Sequence, residues 1–197
     1  MYKYAISTEE EYIKNKKIDY RFYLILLKNT KIEEEYLKSN YRILNTDTFF
    51  EENKINNILE KMKIKKETFN KGLNNFLKTD LVKVENNNIL LKTKSEENKY
   101  YQLLEEEEIN KLIKLTSTDI KIYLIIKYLL QYSEAGYVKL NIISEKIGFN
   151  STNNKSILKS IDNLKKNNLI DCKIEKSKEI INNKFIQIKK YLFKLTH

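Results

Sequence analysis

The chain has 197 residues, 41% of them hydrophobic, which suits one large or two small folded domains and argues against wholesale disorder. Its formal net charge is +10, and it contains one cysteine and one histidine, the latter at the C-terminal position His197. These counts exclude an intrachain disulfide and leave no residues for histidine-dependent catalytic triads or zinc sites.

No phosphate-binding glycine loop is formed around the three glycines, Gly72, Gly136 and Gly148, and no spaced set of carboxylates stands out. Carboxylates are plentiful, so counting alone leaves a metal-dependent nuclease open. Without a spaced acidic set, however, we predict that the protein is not an enzyme and that it binds no cofactor, metal or small-molecule substrate. The N-terminal residues do not resemble a signal peptide, and the apolar run over residues 123–130 is too short to span a bilayer. We expect a cytoplasmic protein without a membrane partner.

The first half of the chain predicts a short strand and helix, followed by a long apolar helix that begins at Asp19. Further helices are predicted over residues 32–44, 51–62 and 66–78. Gly72 inside the last of these costs about 1 kcal/mol relative to Ala. A close backbone approach, to a helix or a phosphate, would justify this cost, and sequence drift would explain the glycine equally well. Residues 81–85 and 89–92 predict a hairpin around three asparagines.

The second half predicts a strand at residues 100–103, a helix at 105–115 and a long helix at 119–132 capped by Ser117, then a short strand at 137–139. Gly148 ends the next helix, and Ser151 or Thr152 caps the one after it. The apolar stripe of that last helix consists of Ile157, Ile161 and Leu164.

A long hairpin is predicted to follow, with Asn182-Asn183 as a two-residue turn. This register sets Asp171 opposite Lys194 and Glu175 opposite Lys190. It also sets Ile170, Cys172 and Ile174 against Leu195, Phe193 and Tyr191. Charge pairs and apolar pairs therefore agree on one alignment of the strands.

The two halves resemble each other in sequence. Four short patterns in the first half recur in the same order in the second half. Their first residues correspond as follows: Tyr4 to Tyr101, Asp19 to Asp119, Lys54 to Lys139 and Phe69 to Ile157. We predict a mainly α fold with small β-hairpins (α+β), built from two tandem domains over residues 1–96 and 97–197.

Positive charge is concentrated in the second half. Residues 116–197 contain 15 Lys and 7 acidic residues, a net +8, whereas residues 1–115 contain 22 basic and 20 acidic residues, a net +2. An AT-rich coding sequence would enrich lysine throughout the chain, but it would not produce this asymmetry. The asymmetry favours a polyanionic partner for the second half, nucleic acid first.

The candidate DNA-contacting residues are polar or cationic and lie beside the apolar stripes of the two equivalent helices or on the long hairpin. In the second domain they are Asn153, Asn154, Lys155, Ser156, Lys159, Ser160, Asn163, Lys176, Lys178 and Lys184, and in the first domain Lys65, Lys66, Thr68, Asn70, Lys71 and Asn74. Lys189 is also expected to point outward from the hairpin.

The segment KLNIISEKIGF, followed by SILKSIDNLKKNNLI, resembles the winged helix-turn-helix superfamily. The resemblance implies two tandem winged-helix domains, of which the second is the main binder of double-stranded DNA. Two interpretations of the near-neutral first domain stay open: it mediates formation of a homodimer, or it is a second DNA-binding module.

The segment YYQLLEEEEINKLIKLTSTDIKIYLIIKYL resembles the lead-in of tandem winged-helix replication initiators from plasmids and phages. This resemblance implies sequence-specific binding to repeated origin sequences, with the two domains addressing successive grooves. A transcription or partition regulator of the same fold would share the pattern. The competing hypothesis is a tandem winged-helix adaptor of a chromosome-condensation complex, for which an acidic surface would be expected.

Overall fold

The computed structural model describes residues 3–30, 41–93, 101–130, 133–149, 154–181 and 184–196. The helices of these residues are α1 (Glu10–Lys14), α2 (Tyr20–Asn29), α3 (Thr46–Phe49), α4 (Glu52–Met62), α5 (Lys66–Leu77), α6 (Glu106–Leu112), α7 (Ser117–Leu130), α8 (Leu140–Ile147) and α9 (Asn154–Lys166). The strands are β1 (Lys3–Ser7), β2 (Tyr41–Asn45), β3 (Val82–Glu85), β4 (Asn88–Lys92), β5 (Tyr101–Glu105), β6 (Ala135–Val138), β7 (Ile170–Ile181) and β8 (Lys184–Leu195).

The chain combines helices with small antiparallel sheets, which confirms the predicted α+β class. It divides into two compact units, residues 1–120 and residues 121–197. The core of the first unit is built around α2, in which residues 22–27 are all buried. In the second unit, buried residues of α8, α9 and the inner ends of the long strands form the core.

The same order of elements occurs twice. In the first half, α2 is followed by β2, α4, α5, β3 and β4, with α3 as an extra turn, and the sheet order is β2-β4-β3. In the second half, α7 is followed by β6, α8, α9, β7 and β8, and the sheet order is β6-β8-β7. In both sheets the last strand of the series is central, so the two halves share one topology.

The ends of two equivalent helices show the repeat at the level of single residues. α4 ends at Lys63 and α8 ends at Gly148, and both residues are left-handed, with φ of 52° and 73°. In both cases the next amide donates to the carbonyl five residues earlier, as Phe149 does to Ser144 at 2.9 Å. This hydrogen bond closes the Schellman turn that ends a helix and redirects the chain.

Gly72 lies where α5 crosses α2. A Cβ atom at this position would lie 2.4 Å from two ring atoms of Phe22, whose ring is buried with its centroid 5.5 Å from that of Phe69. Of the two explanations for Gly72, the structure therefore favours a close approach, and the approach is to a helix.

The lead-in strands of the two repeats pair with each other. β1 and β5 form a two-stranded antiparallel sheet, with Tyr4 opposite Leu104 and Ser7 opposite Tyr101. This pairing places residues 101–120 in the first unit, so the division of the structure differs from the predicted division after residue 96. Adjacent to this sheet, the Ser7 amide donates to the Tyr23 hydroxyl at 2.9 Å, and the same hydroxyl donates to the Lys92 carbonyl.

Two local predictions were wrong. The predicted helix over 32–44 does not extend through its last residues, because residues 41–45 form β2 and pair with β4; residues 32–40 lie outside the described part. Ser117 does not cap α7. The Thr116 hydroxyl accepts from the Asp119 amide at 3.2 Å and the Asp119 carboxylate accepts from the Thr116 amide at 3.1 Å. Ser117 instead accepts from the Tyr20 amide at 3.0 Å and holds the start of α2.

The predicted long hairpin is confirmed. Asp171 pairs with Lys194, Glu175 with Lys190, and Ile181 with Lys184, while residues 182–183 lie outside the described part. The shorter hairpin also forms where predicted, and Asn86 and Asn87 at its turn have positive φ angles of 46° and 60°, as a type I′ turn requires. The predicted caps Ser151 and Thr152 lie outside the described residues.

We expect Lys63→Gly to stabilise the protein by about 0.5–1 kcal/mol. It removes the roughly 1–2 kcal/mol cost of a left-handed backbone at a residue with a Cβ atom, and the larger unfolded-state entropy of glycine offsets part of this gain. Gly148→Ala at the equivalent position should destabilise it by about 1 kcal/mol. Urea unfolding followed by circular dichroism measures both. Lys61→Gly, inside the last turn of α4, is the control and should lower stability. An unchanged or lower midpoint for Lys63→Gly would contradict the assignment of the turn.

Candidate nucleic-acid interface

The side chains of α9 divide into an apolar and a cationic face. Ile157 and Leu164 are fully buried and Ile161 is 3% exposed, so this stripe packs into the core of the second unit. Each such burial contributes about 1.5–3 kcal/mol, which fixes the rotation of the helix about its axis. Lys155 and Lys159 lie on the opposite face and are exposed, and no ion pair joins either to another described residue.

Ser160 is a correction to the predicted interface. It is 4% exposed and therefore cannot reach a ligand at the surface. The reason is geometric: a residue three positions after Ile157 and four before Leu164 falls within the apolar stripe at 100° per residue. A small hydroxyl side chain fits there without enlarging the spacing between α9 and its neighbours.

The remaining predicted residues of α9 differ in accessibility. Ser156 is exposed beside Lys155, whereas Asn163 is half-buried at the edge of the face and its carbonyl accepts from the Asn167 side chain at 2.8 Å. Asn153 lies outside the described residues, and for Asn154 only the backbone, at the start of α9, is described.

Lys166 is an exposed cation that the prediction missed. It follows Lys159 by seven residues, so it extends the stripe of Lys155 and Lys159 by two turns, and this helical spacing was visible in the sequence. The exposed Asp162 lies in the same stripe, three residues after Lys159, and lowers the net charge of the stripe to +2. Its neighbour Lys165 is engaged: the Lys165 ammonium donates to the Cys172 carbonyl at 3.1 Å and lies 3.9 Å from an Asp171 carboxylate oxygen.

The long hairpin segregates its charges by face. Residues 170 and 172 are buried in the core, and by alternation the same face continues outward with Lys176 and Lys178 on β7 and Lys189 on β8. All three lysines are exposed, and Lys176 lies directly opposite Lys189. Like charges in direct opposition destabilise a hairpin, so this face favours an anionic ligand.

The other face of the hairpin is balanced near the core. There Lys194 faces Asp171 and Lys190 faces Glu175. The Tyr137 hydroxyl donates to Glu175 at 2.5 Å, and this hydrogen bond raises the pKa of Tyr137. Lys184 begins β8 next to the turn, and only its backbone is described.

The equivalent surface of the first unit has the predicted residues, and its hairpin has less available charge. The predicted residues of α5 and of the turn before it are all exposed, as is the acidic Glu67 between them: Lys65, Lys66, Thr68, Asn70, Lys71 and Asn74. The lysines of the short hairpin are engaged within the unit: the Lys83 ammonium lies 5.0 Å from the Tyr41 ring centroid, and that of Lys92 lies 3.3 Å from a Glu9 carboxylate oxygen.

The two units also differ in total charge. Residues 121–197 contain 15 Lys and 6 acidic residues, a net +9, whereas residues 1–120 contain 22 basic and 21 acidic residues, a net +1. The boundary between the two structural units, after residue 120, therefore separates positive charge more sharply than the predicted domain boundary after residue 96.

The described part of the chain contains no cluster of metal ligands. Its cysteine and carboxylate side chains form no group of three that could hold a metal ion. Burial raises the pKa of the Cys172 thiol, which makes it a poor nucleophile. None of the described helices combines the length and the apolar character that crossing a membrane requires.

No protein-family model matches the chain, and no curated protein or solved structure matches it either.

We expect Lys176→Thr to raise the stability of the isolated protein at low salt, because it removes one member of the opposed lysine pair. The gain should be about 0.2–1 kcal/mol and should shrink as salt screens the repulsion. Urea unfolding at low and high ionic strength measures it. Lys190→Thr, on the balanced face opposite Glu175, is the matched control and should lower stability. Equal effects of the two substitutions would contradict the segregation of charge.

Proposed function

We propose that the protein binds double-stranded DNA in a sequence-specific manner through two tandem winged helices. The repeated order of helix, strand, two helices and two strands, with the last strand central in each sheet, supports this assignment. In a winged helix the second helix of the helix-turn-helix pair enters the major groove. In this chain that position is occupied by α5 in the first unit and by α9 in the second.

The observation that carries the proposal is the cationic stripe of α9, held outward by a buried apolar stripe. Lys155, Lys159 and Lys166 can bind phosphates or the acceptor atoms of guanine, and Ser156 can bind either backbone or base. Lys176, Lys178 and Lys189 on the hairpin, which is the wing in this assignment, add phosphate contacts that increase affinity without reading sequence.

The first unit contributes less to DNA affinity in this proposal. Its net charge of +1 and the engaged lysines of its short hairpin leave α5 as its only equivalent surface among the described residues. Dimerisation and weak DNA contact both remain compatible with such a unit.

The narrower role that we propose is initiation of plasmid or phage replication. It is supported by the resemblance of the lead-in segment to those initiators and by the tandem arrangement, which suits iterated origin sequences. A regulator of transcription or partition with the same fold would bind DNA by the same surface.

A salt titration of duplex affinity tests the proposal. Six exposed lysines on α9 and the wing predict that log Kd changes with log salt with a slope on the order of 5. Lys155→Ala combined with Lys159→Ala should reduce this slope by about 2 and weaken binding markedly. Lys65→Ala combined with Lys66→Ala, at the start of α5, is the matched control and should change both quantities much less.

Two results would count against the proposal. An absence of duplex binding at low salt would leave the adaptor hypothesis in its place. Equal losses from the α9 and α5 double variants would show that the charge asymmetry does not select the binding unit.

A further inference from the structure

A small hollow on the first unit has an apolar floor. It has a volume of about 140 Å³, opens to solvent and lies among α2, α4 and α6. Ile25, Ile58 and Ile113 line it, and each of them is at most 8% exposed. A cavity of about 150 Å³ with aliphatic and aromatic walls holds one benzene-sized group. This hollow, which we call the isoleucine hollow, therefore has room for one apolar side chain from outside.

Lysines border the isoleucine hollow. Lys54 and Lys61 lie seven residues apart on one face of α4, and Lys28 lies in the last turn of α2. The charge of Lys28 is met within the chain, since its ammonium lies 3.3 Å from a Glu106 carboxylate oxygen. Among the described residues no carboxylate pairs with Lys54 or Lys61, and the Lys54 ammonium lies 3.5 Å from the neutral Thr48 carbonyl. The rim therefore carries two cations that suit an anionic partner.

Leu103 is an exposed apolar residue close to this rim. It is 43% exposed on β5, whereas its neighbour Leu104 is fully buried, so alternation along the strand turns Leu103 away from the core. β5 leads directly into α6, whose first residues Glu106 and Glu107 are exposed. Three residues span at most about 11 Å, so Leu103 lies near Glu106, which contacts Lys28 at the rim. We call Leu103 and these two acids the acidic knob.

The acidic knob does not fill the hollow of its own chain. Leu103 does not line the hollow, and much of its surface is in solvent. Exposed ion pairs hold its two acids, Glu106 with Lys28 and Glu107 with Lys111 at 2.9 Å. Pairs of this kind contribute little to stability, so the acids can exchange these partners for others.

The knob and the hollow are complementary in size and charge, and they lie side by side on one unit. A two-fold dimer requires this arrangement, because the same patch is used by both copies and the knob of each copy then meets the hollow of the other. A different protein would have to supply its own acidic knob, whereas this chain already carries both halves of the contact. The complementarity therefore favours a second copy of this chain as the occupant.

We propose that the first unit forms a two-fold homodimer in which Leu103 enters the isoleucine hollow of the partner subunit. Glu106 and Glu107 pair with Lys54 and Lys61 of the partner subunit. This interaction surface goes beyond the proposed binding of DNA and does not rest on it.

Charge reversal with complementation tests the interface, and sedimentation equilibrium of the full chain at low salt measures it. The wild-type protein should sediment as a dimer, at twice the 23.7 kDa of one chain. Lys54→Glu with Lys61→Glu, and separately Glu106→Lys with Glu107→Lys, set like charges against each other and should weaken dimerisation at least about tenfold. In an equimolar mixture of the two double variants both contacts join opposite charges again, so mixed dimers should form. Their formation also shows that both variants are folded.

A milder substitution tests the apolar contact. Leu103→Thr keeps the strand propensity and removes the side chain that fills the hollow, so it should weaken dimerisation by about tenfold or more. Val84→Thr is the matched control, because Val84 is 60% exposed on β3 of the same unit and has no place in the interface. It should leave dimerisation unchanged.

Four results would overturn the proposal. A wild-type protein that stays monomeric at roughly 100 μM, well above the Kd of specific protein complexes, would exclude the homodimer. Dimers that survive both charge reversals, or that are lost in both without returning in the mixture, would show that the two patches do not meet. Equal effects of Leu103→Thr and Val84→Thr would exclude the apolar contact. A monomeric protein whose duplex binding is weakened by Lys54→Glu with Lys61→Glu as much as by the α9 double variant would assign these lysines to the DNA surface.

Discussion

The burial of three aliphatic side chains on one side of α9 determines where the charge of the second unit is presented. With Ile157, Ile161 and Leu164 in the core, Lys155 and Lys159 have no described surface to pack against and extend into solvent. A rotation of the helix that hid the lysines would expose the apolar stripe and bury two ammonium groups. Both changes cost free energy, and the two costs would add. The cationic face is therefore a consequence of core packing.

The wing depends on the same constraint in a different geometry. Alternation along β7 and β8 assigns each residue to one of two faces, and the apolar face that packs into the core is continued by lysines once the core ends. Acidic residues near the core, Asp171 and Glu175, fall on the other face at the positions opposite Lys194 and Lys190. A hairpin with the same composition but scrambled order would have no such polarity.

Much of this arrangement could be predicted from sequence because it depends on local periodicity. The register of the long hairpin follows from two charge pairs and three apolar pairs that agree on one alignment, and the structure reproduces it. Helix α9 and its apolar stripe follow from helical spacing. Ser160 is buried because its angle on the helix, and not its polarity, determines which face it lies on. Lys166 was missed although the same angle pointed to it.

The error at β2, and the difference between the predicted domain boundary and the division into compact units, have another origin. Residues 41–45 are compatible with either helix or strand, and only their pairing with β4, more than forty residues away, decides between them. The boundary shifts because β1 finds its partner in β5 near the start of the second repeat. Such long-range pairings leave no periodic signal in the local sequence. The boundary between two sequence repeats can therefore differ from the boundary between the compact units of the structure.

The pairing of β1 with β5 also bears on how the chain is synthesised. The partner of β1 leaves the ribosome only after about a hundred further residues, on the order of 5–20 s later at ordinary elongation rates. During that interval the nascent chain presents the apolar residues Ala5 and Ile6 on a strand with an open edge, the kind of template that promotes misassembly. A product terminated before residue 101 would keep that edge open permanently, so prematurely ended chains of this protein should depend on chaperones far more than complete ones.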